Sequence, residues 1–166
     1  VSSTRIRALA AIGEDISAYV PNAVKRRICV GKLYYLPELA GVKKYLTAER
    51  WQHTVGVTVM AAENSRRARV CEIDAIYAAV LHDCAKYLGA DAPELKGFKC
   101  PEGVPPPVVH QFSGAYVAEH TFGIKDEAVL NAIRYHTSGR ENMSGLEKLI
   151  FLSDLLEEGR DYNGVE

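Results

Sequence analysis

The chain has 166 residues, with 20 Lys+Arg against 21 Asp+Glu and a formal net charge of −1. That length suits one domain, and 48% hydrophobic with 25% charged residues is the balance of a globular core rather than a disordered chain. The near-neutral charge supplies no broad field for nucleic acid or an anionic membrane, and no apolar run approaches the roughly 20 residues needed to span a bilayer.

The first stretch, residues 1–37, stands apart. Ser2-Ser3-Thr4 reads as the N-cap of an amphipathic helix carrying Arg5, Ile6 and Arg7. Val20-Pro21 interrupts it, and Val24, Ile28 and Leu33-Tyr34-Tyr35 follow. The first residue is Val rather than Met, which hints at a piece of a longer product. From residue 38 onward helix signals recur and strand signals are weak. Residues 49–68 predict a helix, with Val55, Val59 and Ala62 along one stripe. Residues 72–87 predict a second, with Ile73, Ile76, Tyr77, Val80 and Leu81 on a shared face and Gly89 as the stop. Residues 90–107 read as a loop, punctuated by Pro93, Gly97, Pro101, Gly103 and Pro105-Pro106-Pro107. A third helix is expected over 108–121 and a fourth over 126–136, the latter capped by Asp126. After a polar loop at 137–143, Ser144 and Glu147 have the spacing of a capping box, and the helix they open should run to a stop at Gly159. The whole predicts an all-α helical bundle over 38–166.

Cys29, Cys71, Cys84 and Cys100 form no CxxC pair, so a thiolate zinc site is disfavoured. The start of the chain has no secretory signal, so a cytoplasmic location and reduced, buried or half-buried structural thiols are expected.

Six residues fall at informative places. His53 lies near the start of the first of these helices, and His82-Asp83 follows the apolar stretch Ala78-Ala79-Val80-Leu81. His110 begins the third helix, His136 closes the fourth, and Asp154 sits inside the apolar run of the last. A carboxylate on a core-facing helix surface costs several kcal/mol unless it is paired or ligates a metal. Imidazole and carboxylate donors gathered in a bundle core suit iron, manganese, cobalt or zinc. The plainer alternatives are that Asp154 pairs with a basic residue such as Arg134, and that each His is an ordinary packed or surface residue. His120, at the polar end of its helix, is read that way.

The order H…HD…H…H…D resembles the HD-domain superfamily of metal-dependent phosphohydrolases. The strings Arg50-Trp51-Gln52-His53-Thr54, His82-Asp83-Cys84-Ala85-Lys86, His110-Gln111-Phe112-Ser113-Gly114 and His136-Thr137-Ser138-Gly139-Arg140 narrow the resemblance to the YqeK-type subfamily of symmetrical bis(5′-nucleosyl)-tetraphosphatases. It covers about residues 45–164. It implies an HD-type bundle with two metal ions in its core, iron first and manganese, cobalt or zinc as alternatives, and cleavage of diadenosine tetraphosphate to two ADP. Carried over, one metal would take His53, His82, Asp83 and Asp154. The other would take Asp83 as a bridge with His110 and His136. Asp83 and Lys86 would act at the reaction centre, while Lys86, Thr137, Gly139, Arg140 and Arg160 would contact substrate. Glu157 and Arg160 also match the subfamily as supporting or phosphate-binding groups. Ser153 and Cys84 depart from its commonest residues without removing a ligand, and the chain stops soon after Asp154, which reads as truncation. The resemblance further implies a homodimer.

The opening Val1-Ser2-Ser3-Thr4-Arg5-Ile6-Arg7 resembles the C-terminal tail of bacterial nicotinate-nucleotide adenylyltransferases, whose motif helps bind ATP phosphates. Nothing else of a nucleotidyltransferase is present, so residues 1–37 read as the tail of an adenylyltransferase naturally fused to residues 38–166. Other readings are a phosphohydrolase acting on another nucleotide, such as an alarmone or a nucleoside monophosphate, and a non-catalytic nucleotide-sensing module.

Overall fold

A computed structural model describes residues 2–157. Among these residues the secondary structure is helical, with no strand. The α-helices are α1 (Ser3–Ala11), α2 (Asn22–Val30), α3 (Ala48–Ala68), α4 (Glu72–Leu81), α5 (Val109–His120), α6 (Glu127–Arg134) and α7 (Gly145–Leu156). Short 3₁₀ turns occupy Pro37–Leu39, Val42–Tyr45, Pro93–Leu95 and Pro106–Val108. The expected all-α architecture is present, and α3–α7 are the five helices predicted after residue 38.

Local chemistry sets most helix starts. Ser2, Thr47, Asp126 and Ser144 each accept a hydrogen bond from a first-turn amide. At Ser144 the box is complete, because the Glu147 carboxylate returns a bond to the Ser144 amide at 2.6 Å. The α3 helix stops where Arg69 turns left-handed at φ 56° and Val70 N–H reaches back to Ser65 O.

Three boundaries differ from the sequence reading. The helix expected over 72–87 ends at Leu81, and residues 82–88 continue as tight turns with Cys84 N–H on Leu81 O and Lys86 N–H on Asp83 O. The His82 ring takes the Ala79 carbonyl at 2.6 Å, the acceptor a continuing helix would offer to the Asp83 amide. The fourth of the predicted helices ends at Arg134 rather than 136, and the last ends at Leu156. Its expected stop, Gly159, lies outside the described residues. Nor was a second helix foreseen in the first stretch, where Asn22–Val30 now lies behind Pro21.

Helix α3 is central, packed against α1, α4 and α7, while α6 lies across α4, α5 and α7. Ala61 and Ala62 of α3 and Ala75, Ala78 and Ala79 of α4 are buried, and these small side chains let the two helices approach closely. The shared face expected on α4 is not clean, since Ile73 is exposed and burial extends around the helix. The segment before residue 38 joins the same apolar cluster through Ala8, Leu9, Ala11, Ile16 and Ile28. Two of its arginines are engaged by the bundle: Arg5 meets Glu63 at 3.2 Å, and Arg7 grips Glu72 with two bonds of 2.8 and 2.6 Å. Of the cysteines only Cys84 is buried, with its thiol on Gly114 O and its pKa pushed up by burial. Cys29, Cys71 and Cys100 are exposed, contrary to expectation, because they sit at helix ends and in a loop. No helix among the described residues is long and apolar enough to cross a membrane.

Replacing Ile150, which is fully buried on α7, with Ala should destabilise the fold by about 2–5 kcal/mol. Ser144→Ala should cost only about 1 kcal/mol, the worth of one cap. Urea unfolding of the two variants checks the order.

Candidate metal centre

The structure brings together all six residues singled out in the sequence. His53 comes from α3, Asp154 from α7 and His82-Asp83 from the end of α4, while His110 comes from the first turn of α5 and His136 from the turn after α6. All are buried except His110, which is half-buried. They fall into two groups whose ligand atoms lie within 4.8 Å of one another: His53, His82 and Asp154, then Asp83, His110 and His136.

In the first group Asp154 Oδ1 lies 2.9 Å from His53 Nε2 and 3.5 Å from His82 Nε2. In the second, Asp83 Oδ1 lies 3.4 Å from His110 Nε2 and 3.6 Å from His136 Nε2. The other oxygen of Asp83, Oδ2, is 3.4 Å from His82 Nε2. One carboxylate thus presents an oxygen to each group. The pairing of Asp154 with Arg134 does not occur, since Arg134 is bonded to Glu127 and Asn131.

The other edge of each ring explains its orientation. Nδ1 of His82, His110 and His136 meets the carbonyl three residues earlier, Ala79 at 2.6 Å, Pro107 at 2.9 Å and Ile133 at 2.8 Å. A carbonyl can only accept, so each Nδ1 carries a proton and each Nε2 of a neutral ring presents a lone pair. His53 Nδ1 meets Glu157 Oε2 at 3.0 Å. Four Nε2 atoms are therefore turned inward. His110 Nε2 and His136 Nε2 stand 3.3 Å apart, and His82 Nε2 is buried with no hydrogen-bond partner. Facing lone pairs at this distance repel unless a cation or proton lies between them. The donor set of imidazole nitrogen and carboxylate oxygen suits a divalent transition-metal ion, so these residues fit a metal.

The surrounding carboxylates favour a positive charge at the cluster, a proton on His82 where no metal is bound. Burial opposes the charge on His82, but Asp83 and Asp154 outweigh it and push its pKa up to about 10. Burial, and then the neighbouring His136, push His110 down to about 4. Burial also resists ionisation of Asp83 and Asp154, but the surrounding imidazoles hold both well below the usual carboxylate range.

Three supporting residues were not recognised in the sequence. Arg50, one turn before His53, places Nη1 3.3 Å from Asp83 Oδ2. Gln111, buried beside His110, accepts from the Thr137 and Ser138 amides at 3.1 and 3.0 Å and donates to Ser138 Oγ at 2.8 Å. It ties the start of α5 to the loop that follows His136. Gly56 faces Glu157 so closely that a Cβ there would overlap the carboxylate. A glycine inside a helix costs about 1 kcal/mol relative to alanine, and here it makes room for the group that orients His53. The i,i+3 spacing of Arg50 and His53 was the available signal for the first.

The expected substrate contacts have the following places. Lys86 Nζ lies 3.2 Å from Asp83 Oδ2, beside the cluster. Thr137 Oγ1 lies 3.2 Å from His110 Nε2. Gly139 turns the following loop at φ 63°, a conformation that favours glycine. The Arg140 guanidinium pairs with Glu147 at 2.6 Å and lies over the Tyr135 ring. Arg160 falls outside the described residues. His120 is exposed and stacked on Tyr116, away from the cluster.

Comparison with known proteins is consistent with this site. The HD-domain family model matches residues 50–159. A symmetrical bis(5′-nucleosyl)-tetraphosphatase of Bacillus subtilis is 40% identical over 135 residues, covering 77% of this chain and 72% of that protein. One from Halalkalibacterium halodurans is 39% identical, covering 75% and 70%. A Mycoplasma genitalium protein named as a probable nicotinate-nucleotide adenylyltransferase/Ap4A hydrolase is 32% identical over 85% of this chain but only 40% of its own length. Among solved structures, one from Clostridium acetobutylicum, described as a predicted HD superfamily hydrolase involved in NAD metabolism, superposes with a TM-score of 0.64 at 31% identity, over 76% of this chain and 70% of the other.

Glu157→Ala should lower metal affinity about 10–100-fold, because the second partner of a metal-binding imidazole is lost. Gly56→Ala should act in the same direction by displacing that carboxylate. Metal content after dialysis against graded chelator measures both.

Proposed function

Since this chain belongs to the HD-domain family, we propose that its buried cluster holds divalent metal and hydrolyses diadenosine tetraphosphate symmetrically to two ADP. The facing Nε2 atoms of His110 and His136, at 3.3 Å with both Nδ1 atoms already donating, carry the metal part of this reading. The substrate comes from the symmetrical tetraphosphatases of Bacillus subtilis and Halalkalibacterium halodurans that the chain is similar to. Two ions are assigned, iron by preference, with manganese, cobalt or zinc as alternatives. His53, His82 and Asp154 hold one, His110 and His136 the other, and Asp83 serves both. When bound, such ions supply Lewis acidity toward phosphoanhydride oxygens and attacking water.

The remaining work falls to this chain's own groups. Lys86 and Arg50 both lie against Asp83 and are placed to receive phosphate charge beside the cluster. Thr137 adds a hydroxyl donor at the His110 edge, and Gly139 and Arg140 are assigned to substrate on the motif alone. Arg160 is assigned to phosphate on the motif alone. Gln111 keeps His110, His136 and Thr137 in register. Residues 1–37 are assigned to an adenylyltransferase-type tail, and 38–166 to the hydrolase. The Mycoplasma genitalium relative, whose name joins the two activities, supports that order. A cytoplasmic homodimer completes the reading.

Protein purified without oxygen and loaded with Fe(II) should convert diadenosine tetraphosphate to ADP alone, resolved by ion-exchange chromatography. AMP with ATP would overturn symmetric cleavage, and tight binding without products would favour a sensing module. His82→Ala should lose metal, and Asp83→Asn should lower turnover by about 10³-fold or more.

A further inference from the structure

A cavity of about 720 Å³ opens beside the metal centre, between the segment after α4 and the start of α5. Lys86 and His110 form the part of its wall that meets the cluster, since each also contacts Asp83, at 3.2 and 3.4 Å. Leu88, Leu95 and Phe98 make much of the rest, and Cys100 lies in the wall. The volume falls within the range of small-molecule sites and exceeds what a phosphate group alone would fill.

The wall is held in place. Leu95 and Phe98 ride on successive turns, with Leu95 N–H on Ala92 O and Phe98 N–H on Leu95 O, both at 2.9 Å. Tyr116 fixes this segment to α5, its hydroxyl donating to Lys96 O at 2.7 Å and its ring 5.5 Å from that of Phe98. Tyr87 also lies in the wall. An aromatic face over apolar neighbours, with a cation where the cavity meets the cluster, matches a base joined through ribose to phosphate. No amide or carboxylate side chain lines the cavity among the described residues, so its side chains offer a stacking face rather than a bidentate pair to a base edge.

We propose that this cavity is the subsite for one nucleoside half of the substrate, with Phe98 as its stacking face and Lys86 at the phosphate side. The proposal rests on the dinucleotide reading above and deepens it. The bland occupant is solvent, and the cysteines separate the cases. Cys100 lines this cavity, whereas the exposed Cys29 and Cys71 do not.

The metal-loaded protein is alkylated with iodoacetamide, and each cysteine is followed by mass spectrometry. ADP at about four times its Kd should slow Cys100 about fivefold and leave Cys29 and Cys71 unchanged. Inorganic pyrophosphate, which has no base, should leave Cys100 unchanged. Phe98→Ala should raise KM for diadenosine tetraphosphate about tenfold while kcat is kept. If the wild type cleaves the dinucleotide, yet ADP fails to protect Cys100 or Phe98→Ala leaves KM unchanged, the subsite is overturned and the activity stands. Equal protection by pyrophosphate overturns it as well. If ADP alone protects Cys100 but the dinucleotide is not cleaved, the subsite is supported and the reaction falls.

Discussion

Four clustered histidines have one ring nitrogen occupied by an acceptor, and that constraint decides where the other nitrogen points. Three of the acceptors are backbone carbonyls at a fixed separation of three residues, so they come from local chain geometry rather than distant contacts. Placing these rings at helix ends serves both needs. A carbonyl near a helix terminus is free to accept a side chain, and the ring leaves the helix surface toward the space between elements. The shortening of α4 to Leu81 follows from the same bond, since His82 takes an acceptor that one more turn of helix would use.

His53 is the exception, and the exception shows what the rule costs. It sits inside α3 rather than at a helix end, and its orienting acceptor is the carboxylate of Glu157 from beyond α7. A long side chain must then fit against the surface of α3, and the only way to admit it is to remove a Cβ. Gly56 does this one turn along. The two carboxylates and the glycine form one unit: Asp154 on Nε2, Glu157 on Nδ1, and Gly56 as clearance. Across the cluster Gln111 has the equivalent task for His110 and His136, joining two elements that the helices alone would leave free to shift.

The six clustered residues were legible because charged and imidazole groups stood in apolar helical stretches, where they need a reason to be. Asp154 is the clearest case, lying between Phe151-Leu152 and Leu155-Leu156. The end of α4 was not legible, since the alanine-rich stretch before His82 has no face of its own and is buried all round. Arg50 was missed because an arginine in the first turn of a helix is ordinarily solvated, and its role depends on where the end of α4 arrives. Gly56 carries no pattern at all, because its meaning lies about a hundred residues away at Glu157. The cysteines failed in the other direction. Composition favours burial, but Cys29 and Cys71 stand at helix termini and Cys100 in a loop, where position overrides hydropathy.

Charge around Asp83 connects the centre to the kind of ligand it can hold. Its two oxygens face three imidazoles, while Arg50 and Lys86 press on the same group. Asp154 and Glu157 stand in the same cluster, so its three carboxylates outnumber these two permanent cations until metal ions are bound and turn the balance positive. Arg50 and Lys86 are both partly exposed, at 23% and 27% of their side-chain surface, so they form the solvent-facing edge of the cluster. With metal bound, a chain of net charge −1 would concentrate positive potential at that edge. A polyanion entering there would relieve that imbalance. A neutral ligand would gain nothing from it, and the apolar cavity alongside leaves space for a part of the ligand that carries no charge.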